Sequence, residues 1–193
     1  MAGTEGVMYQ LSENRNPIVQ RIKFAREGAN VIRVHANPGI VPYPVGMHTF
    51  NMLMMLRILW PDAPIALVWA IVEHDVPERV TGDTPHPAKV AGIMDRVKQS
   101  EYEEHINTLV FGEDSASNLS PEEAGWLSGL DMLEFYCYCR DQLMMGNRMI
   151  ETKLAAVERY MKKYAHKYPE RIVDVYHMLL SDGWATMSDI GDE

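Results

Sequence analysis

The chain is expected to be all-α, a single bundle of about six to seven helices. Two observations carry this. The local signals are helical nearly throughout, with proline at the first turn of several segments, where its fixed φ and missing N–H cost nothing. No convincing alternating strand appears beyond the short Val31-Ile32-Arg33-Val34. In chain order, Asn16-Pro17 starts a helix running to about Gly28. A second covers about 45–60 and ends at Pro61, and a third spans about 63–75. Pro87 opens a long fourth that closes near Gly112. The Ser120-Pro121-Glu122-Glu123 cap opens a fifth that reaches about Met145. A sixth runs from Met149 to about Tyr164 and a seventh from Pro169 to about Leu180. The whole of 1–193 reads as one domain with a core over about 17–182, and the acidic tail from Ser188 is expected to fray.

Bulk properties narrow the function. At 193 residues and 22.0 kDa the chain is large enough for a real core. Its longest strongly apolar run, Pro64 to Val72, is far short of the roughly 20 residues a membrane helix needs. The N-terminus lacks a basic stretch followed by an apolar one, so a cytoplasmic protein is expected. Cys137 and Cys139 lie roughly 200° apart on a helix and are poorly placed to pair with each other. A net charge of −9 argues against binding a nucleic acid polymer, but local cations and a metal can still hold a mononucleotide. Fourteen methionines and four tryptophans suit an adaptable core or a subunit interface, and a homo-oligomer is expected.

The informative residues are polar groups in apolar places. Ala66 to Val72 is apolar on every face, the pattern of a helix buried all round. It leads directly into His74-Asp75, with Glu78 and Asp83 close behind. A charge at such a point costs several kcal/mol unless it is paired or metal-bound. His48 shares a helical stripe with Met52, Met55 and Leu59, and Asp131 shares one with Leu127, Phe135 and Tyr138. Three helices therefore each aim a metal-ligating residue type inward. One divalent cation would neutralise both carboxylates and take a lone pair from each imidazole. Mixed imidazole and carboxylate ligands suit Mn, Co, Fe, Zn or Ni, whereas Mg would be unusual with two histidines.

The order His48, His74-Asp75, Asp131 resembles the HD-domain metal-dependent phosphohydrolases, in particular their small deoxynucleotide-hydrolysing branch. The run His74-Asp75-x-x-Glu78-x-x-Thr81-Gly82-Asp83-x-Pro85-x-Pro87-x-Lys89 is similar to that of the bacterial 5′-deoxynucleotidases. So are an arginine fifteen positions before the first histidine, here Arg33, and a last ligand helix that runs on to Gly146-Asn147. Arg33-Val34-His35 before a Pro-rich loop is similar to the phage dATP triphosphohydrolases. The likeness spans about residues 30 to 147. Two positions depart from it: Met47 replaces a frequent glutamate before the first histidine, and Val34 stands where the cellular enzymes place a sugar-reading tryptophan.

The resemblance implies an HD-type helical domain that binds a metal through His48, His74, Asp75 and Asp131. It also implies hydrolysis of a free deoxynucleotide by metal-activated water. Glu78 would be the general base or water-positioning group. Asp83 would orient water or touch the sugar, with a turn-forming aspartate as the plain alternative. Arg33, His35 and Lys89 would meet phosphate oxygens. The favoured substrate is dATP, cleaved to deoxyadenosine and triphosphate, in the cytoplasm of a cell or of a phage host. A 5′-deoxynucleotidase acting on monophosphates is the first alternative. An alarmone hydrolase ranks low, since Arg79 stands where that group places an aspartate after the glutamate. A non-enzymatic helical regulator with a degenerate site is the remaining alternative, and the presence of all four ligands argues against it. His86 and His105 are given no role, the Met52-Met54-Met55 stripe is read as core, and Tyr136-Cys137-Tyr138-Cys139 as helix packing.

Overall fold

The computed structural model describes residues 16–36, 39, 41–84 and 95–181. The fold is all-α. Helix α1 (Pro17–Gly28) starts on Asn16, whose side chain accepts the Ile18 N–H. Helices α2 (Val45–Leu59) and α3 (Ile65–Glu73) each begin directly after a proline. A tight turn over 74–77 leads into the one-turn α4 (Glu78–Thr81). After α5 (Arg96–Phe111) and a 3-10 turn, Ser115–Asn118, comes the longest element, α6 (Pro121–Met144, 24 residues). Ser120 and Glu123 form the reciprocal capping box expected of that start. Helices α7 (Glu151–Tyr164) and α8 (Glu170–Ser181) complete the described chain.

Helix α6 is the axis of the bundle, packed by α2, α3, α7 and α8. The main core includes Met52, Leu56, Leu67, Ile71, Leu130, Leu133, Ile150 and Ile172. A smaller cluster of Phe24, Val76, Ile106 and Val110 joins α1 and α5 to the 74–77 turn. That junction requires a glycine. A Cβ on Gly28 would lie 2.7 Å from the Val76 carbonyl oxygen, closer than packed atoms allow. Gly82 ends α4 with φ 68°, a backbone region that favours glycine, and so turns the chain toward Asp83.

Four expectations are corrected. The 31–34 segment makes one isolated bridge, Ile32 to Pro44, in place of a strand. Helix α3 is two-faced, with Trp69 half exposed while Leu67, Ala70 and Ile71 are sealed. The methionine stripe is divided, Met52 being core and Met54 exposed. The helix that ends on Gly112 starts at Arg96, because the Asp95 side chain accepts the Val97 and Lys98 N–H groups and caps it there. Pro87, His86 and Lys89 lie outside the described residues. The Tyr136–Cys139 run packs inward as expected, and both thiols are free. Burial lifts each thiol to about 12, which leaves them inert as nucleophiles. Among the described residues no helix is long and apolar enough to cross a membrane.

Candidate metal centre

The candidate side chains arrive from three elements. His48 is one turn into α2, where the Met52 and Leu59 stripe turns it fully inward. The end of α3 delivers His74 and Asp75 into the turn. Asp131 lies near the middle of α6. Ligand atoms of His48, His74 and Asp75 all fall within 4.8 Å of one another, a spacing one metal ion can span. Asp131 Oδ1 lies 3.1 Å from His48 Nε2, and Asp75 Oδ2 lies 3.3 Å from His74 Nε2. Three of the four residues that the sequence pointed inward, His48, His74 and Asp75, therefore form one group, and Asp131, its side chain a third exposed, meets that group at His48.

The two imidazoles are oriented alike. The Nδ1 of His74 donates to the Ile71 carbonyl at 2.8 Å. His48 Nδ1 lies 2.5 Å from Glu134 Oε2. Both rings thus use Nδ1 outward and leave Nε2 for the centre. Each Nε2 is buried without a hydrogen bond of acceptable geometry. Orphaned buried nitrogens are costly, and facing carboxylate oxygens at close range they form the lone-pair arrangement that a cation satisfies. The donor set fits a divalent transition metal.

Arg33 is held by both carboxylates. Its Nη1 donates to Asp75 Oδ2 at 2.6 Å and its Nη2 to Asp131 Oδ1 at 3.3 Å. Burial opposes its charge, but these two carboxylates outweigh that and raise its pKa further, with Glu78 adding to the same field. Burial likewise works against an ionised Asp75, yet His74 and Arg33 hold its carboxyl far below the usual range. Asp131 is depressed in the same way, by His48 and Arg33 against burial.

The loop that presents Arg33 is strained. Val34, a β-branched residue, has φ 58°, a conformation that costs about 1–3 kcal/mol and persists only when its surroundings fix it. Those surroundings are visible. Asp83 Oδ2 accepts the Val34 N–H at 2.6 Å, the Val34 side chain is buried, and Arg33 N–H donates to the Tyr43 carbonyl at 2.9 Å. Asp83 therefore braces the arginine loop from outside the ligand cluster. His35, half exposed, lies 3.7 Å from the same Asp83 oxygen and does not join the cluster. Glu78 sits at the head of α4, half-buried and within the electrostatic reach of Arg33.

One residue of this centre has no counterpart in the sequence reading. Glu134 is 2% exposed on α6, and both its oxygens are engaged. Oε2 accepts from the Tyr43 hydroxyl and lies against His48 Nδ1, while Oε1 accepts from Asn51 Nδ2 at 3.0 Å. Burial and the neighbouring Glu134 carboxylate raise the Tyr43 pKa strongly, so its hydroxyl stays protonated and donates. The available signal was the spacing: His48 and Asn51 are three apart on α2, and Asp131 and Glu134 three apart on α6, so each pair shares a face.

The charge of His74 gives a pH prediction. In the metal-free protein burial disfavours the imidazolium, but the Asp75 carboxylate outweighs this and lifts His74 from 6.5 to about 9. Metal needs the neutral ring, so loading must expel a proton. Apparent metal affinity is expected to rise about tenfold per pH unit up to about 9 and then level off. Chelator competition across that range checks it, and a flat profile would exclude proton release from His74. The sign for stability is opposite. The folded-state pKa is the higher one, so the His74–Asp75 attraction stabilises the metal-free fold fully below about 6.5 and is lost as pH rises through about 9.

Compared with models of known protein families the chain finds no match, and no curated protein matches it in sequence.

Proposed function

We propose that this protein is a metal-dependent phosphohydrolase of free deoxynucleotides acting in the cytoplasm. The observation that carries the reading is the clustering of His48, His74 and Asp75, with two buried imidazole nitrogens facing carboxylates, and with Asp131 and the Arg33 guanidinium against the same group. A divalent metal bound there would supply Lewis-acid activation of water and of a phosphoryl oxygen. His48 and His74 would hold it through Nε2, and Asp75 and Asp131 through their carboxylates.

The remaining work falls to the chain. Arg33 has five N–H donors and directs two at Asp75 and Asp131, so further donors remain for a phosphate oxygen. Its fixed fork would place the reacting phosphorus and balance charge as the leaving group departs. Glu78, opening the helix next to the ligand turn, would take a proton from the attacking water. Val34 and the Asp83 brace would hold the arginine in that position.

The favoured substrate is dATP, cleaved at the α-phosphate to deoxyadenosine and triphosphate, on the likeness of Arg33-x-His35 to the phage enzymes. A 5′-deoxynucleotidase is the second reading. It is favoured by His35, whose Nδ1 lies 3.7 Å from the Asp83 carboxylate and which is not among the clustered ligands, so that carboxylate competes with a β- or γ-phosphate for it. A panel of nucleoside and deoxynucleoside mono- and triphosphates, tested with Mn, Co, Zn, Fe and Ni, decides between them. Triphosphate released from dATP is the expected product. Inorganic phosphate from dAMP, with no triphosphate from dATP, would assign the monophosphate activity. No turnover of any member with any metal would overturn the enzyme reading.

A further inference from the structure

We infer that Glu134 is the positioning residue for His48: it fixes the tautomer and direction of that imidazole, and so tunes how tightly the centre holds its metal. The inference rests on the metal-site reading above and adds a group which that reading does not use.

Three observations carry it. First, Glu134 is almost completely enclosed yet fully satisfied, by His48, Tyr43 and Asn51. A carboxylate is costly to bury, and here it is spent on a ring nitrogen pointing away from the centre. Second, a carboxylate can only accept at this contact, so His48 Nδ1 carries the proton and Nε2 presents its lone pair inward. Carboxylate partners of this kind orient a ligating imidazole and increase its donor strength. His74 has a neutral carbonyl in the corresponding place, so the two histidines differ in donor strength by construction. Third, one face of α6 meets both nitrogens of the ring: Asp131 lies 3.1 Å from His48 Nε2, and Glu134, three residues on, lies against His48 Nδ1.

Tyr43 and Asn51 hold the carboxylate in turn. The Tyr43 ring is stacked on Tyr138 at 3.8 Å, so its hydroxyl reaches Glu134 from a fixed platform. Asn51 is one turn beyond His48 on α2, and the helix that supplies the ligand also ties down its partner.

The test measures zinc and cobalt(II) affinity by chelator competition, with the visible spectrum of the cobalt form, in the full chain. Wild type is compared with Glu134→Gln, Glu134→Ala and Tyr43→Phe. Glu134→Gln retains a neutral acceptor for Nδ1, and Asn51 can turn its amide to suit. It is expected to weaken metal binding about 10- to 100-fold and to shift the cobalt spectrum while the helical content is kept. Glu134→Ala is expected to lose more, so the conservative variant gives partial rescue. Tyr43→Phe removes one donor but leaves the Glu134–His48 contact, and should lose less than Glu134→Gln. Should the alanine variant not fold, the other two still decide. Wild-type affinity and an unaltered cobalt spectrum in Glu134→Gln would overturn the role of Glu134 alone. A Tyr43→Phe loss as large as that of Glu134→Gln would pass the role to Tyr43. A wild-type chain that binds neither metal would remove the metal-site reading itself.

Discussion

Asp75→Ala protein, purified without chelator, is expected to carry only background metal, against about one tightly held transition-metal ion per wild-type chain. Hydrolysis should fall with it. The size of the effect follows from where Asp75 sits. Its Oδ2 is 3.3 Å from His74 Nε2, 3.9 Å from His48 Nε2 and 2.6 Å from Arg33 Nη1, so one oxygen is common to both imidazoles and to the phosphate-binding candidate. Removing it takes away a ligand and also leaves Arg33 with a single carboxylate partner in a buried position, which destabilises the metal-free fold. Asp75→Asn, which preserves shape, separates the two consequences: the helical fold should survive while the metal is lost. Elemental analysis of both variants, with circular dichroism alongside, makes the measurement. Unchanged metal content in either folded variant would overturn the ligand assignment.

Glu78→Ala should lower kcat about 100-fold or more while metal content and substrate binding stay near wild type. Glu78 follows His74 by one helical turn, but a distinct turn over 74–77 separates them, so Glu78 opens α4 while the histidine ends α3. It is therefore beside the centre without belonging to the ligand cluster, and it contributes to the field on Arg33. A group so placed can move a proton without holding the metal. Metal loss in the variant would reassign Glu78 as a ligand or a structural residue. Near-normal turnover would remove Glu78 from the catalytic machinery. Steady-state kinetics on the substrate found in the panel, with metal analysis of the same preparation, distinguishes the three.

The helices were legible because their signals are local. Prolines at first turns, the Ser120–Glu123 box and the Gly112 stop act over a few residues, and the structure uses them as the sequence implies. Pro87, a favoured first-turn residue, implies an earlier start for α5 than the one set by Asp95, whose side chain makes the cap. The centre was partly legible for a related reason. A histidine or aspartate on an apolar stripe is an anomaly visible in one helix at a time. His48 and Asp131 carry that mark on their stripes, and His74-Asp75 carries it at the end of an apolar run.

Sequence alone thus determined the all-α class, most helix boundaries and the four inward-facing ligand candidates, since each follows from the helical period acting within one segment. Tertiary structure decided what those residues touch. Arg33 bridges Asp75 and Asp131, the latter 98 positions away, and His48 is oriented by Glu134, 86 positions away. Asp83 proved to brace the backbone of Val34 rather than reach the ligand cluster. A periodic pattern records that a face is buried but carries no record of the partner waiting there. The partner is chosen when α2, α3 and α6 pack, and only that packing brings His48, His74 and Asp75 within reach of one another and sets Asp131 against His48.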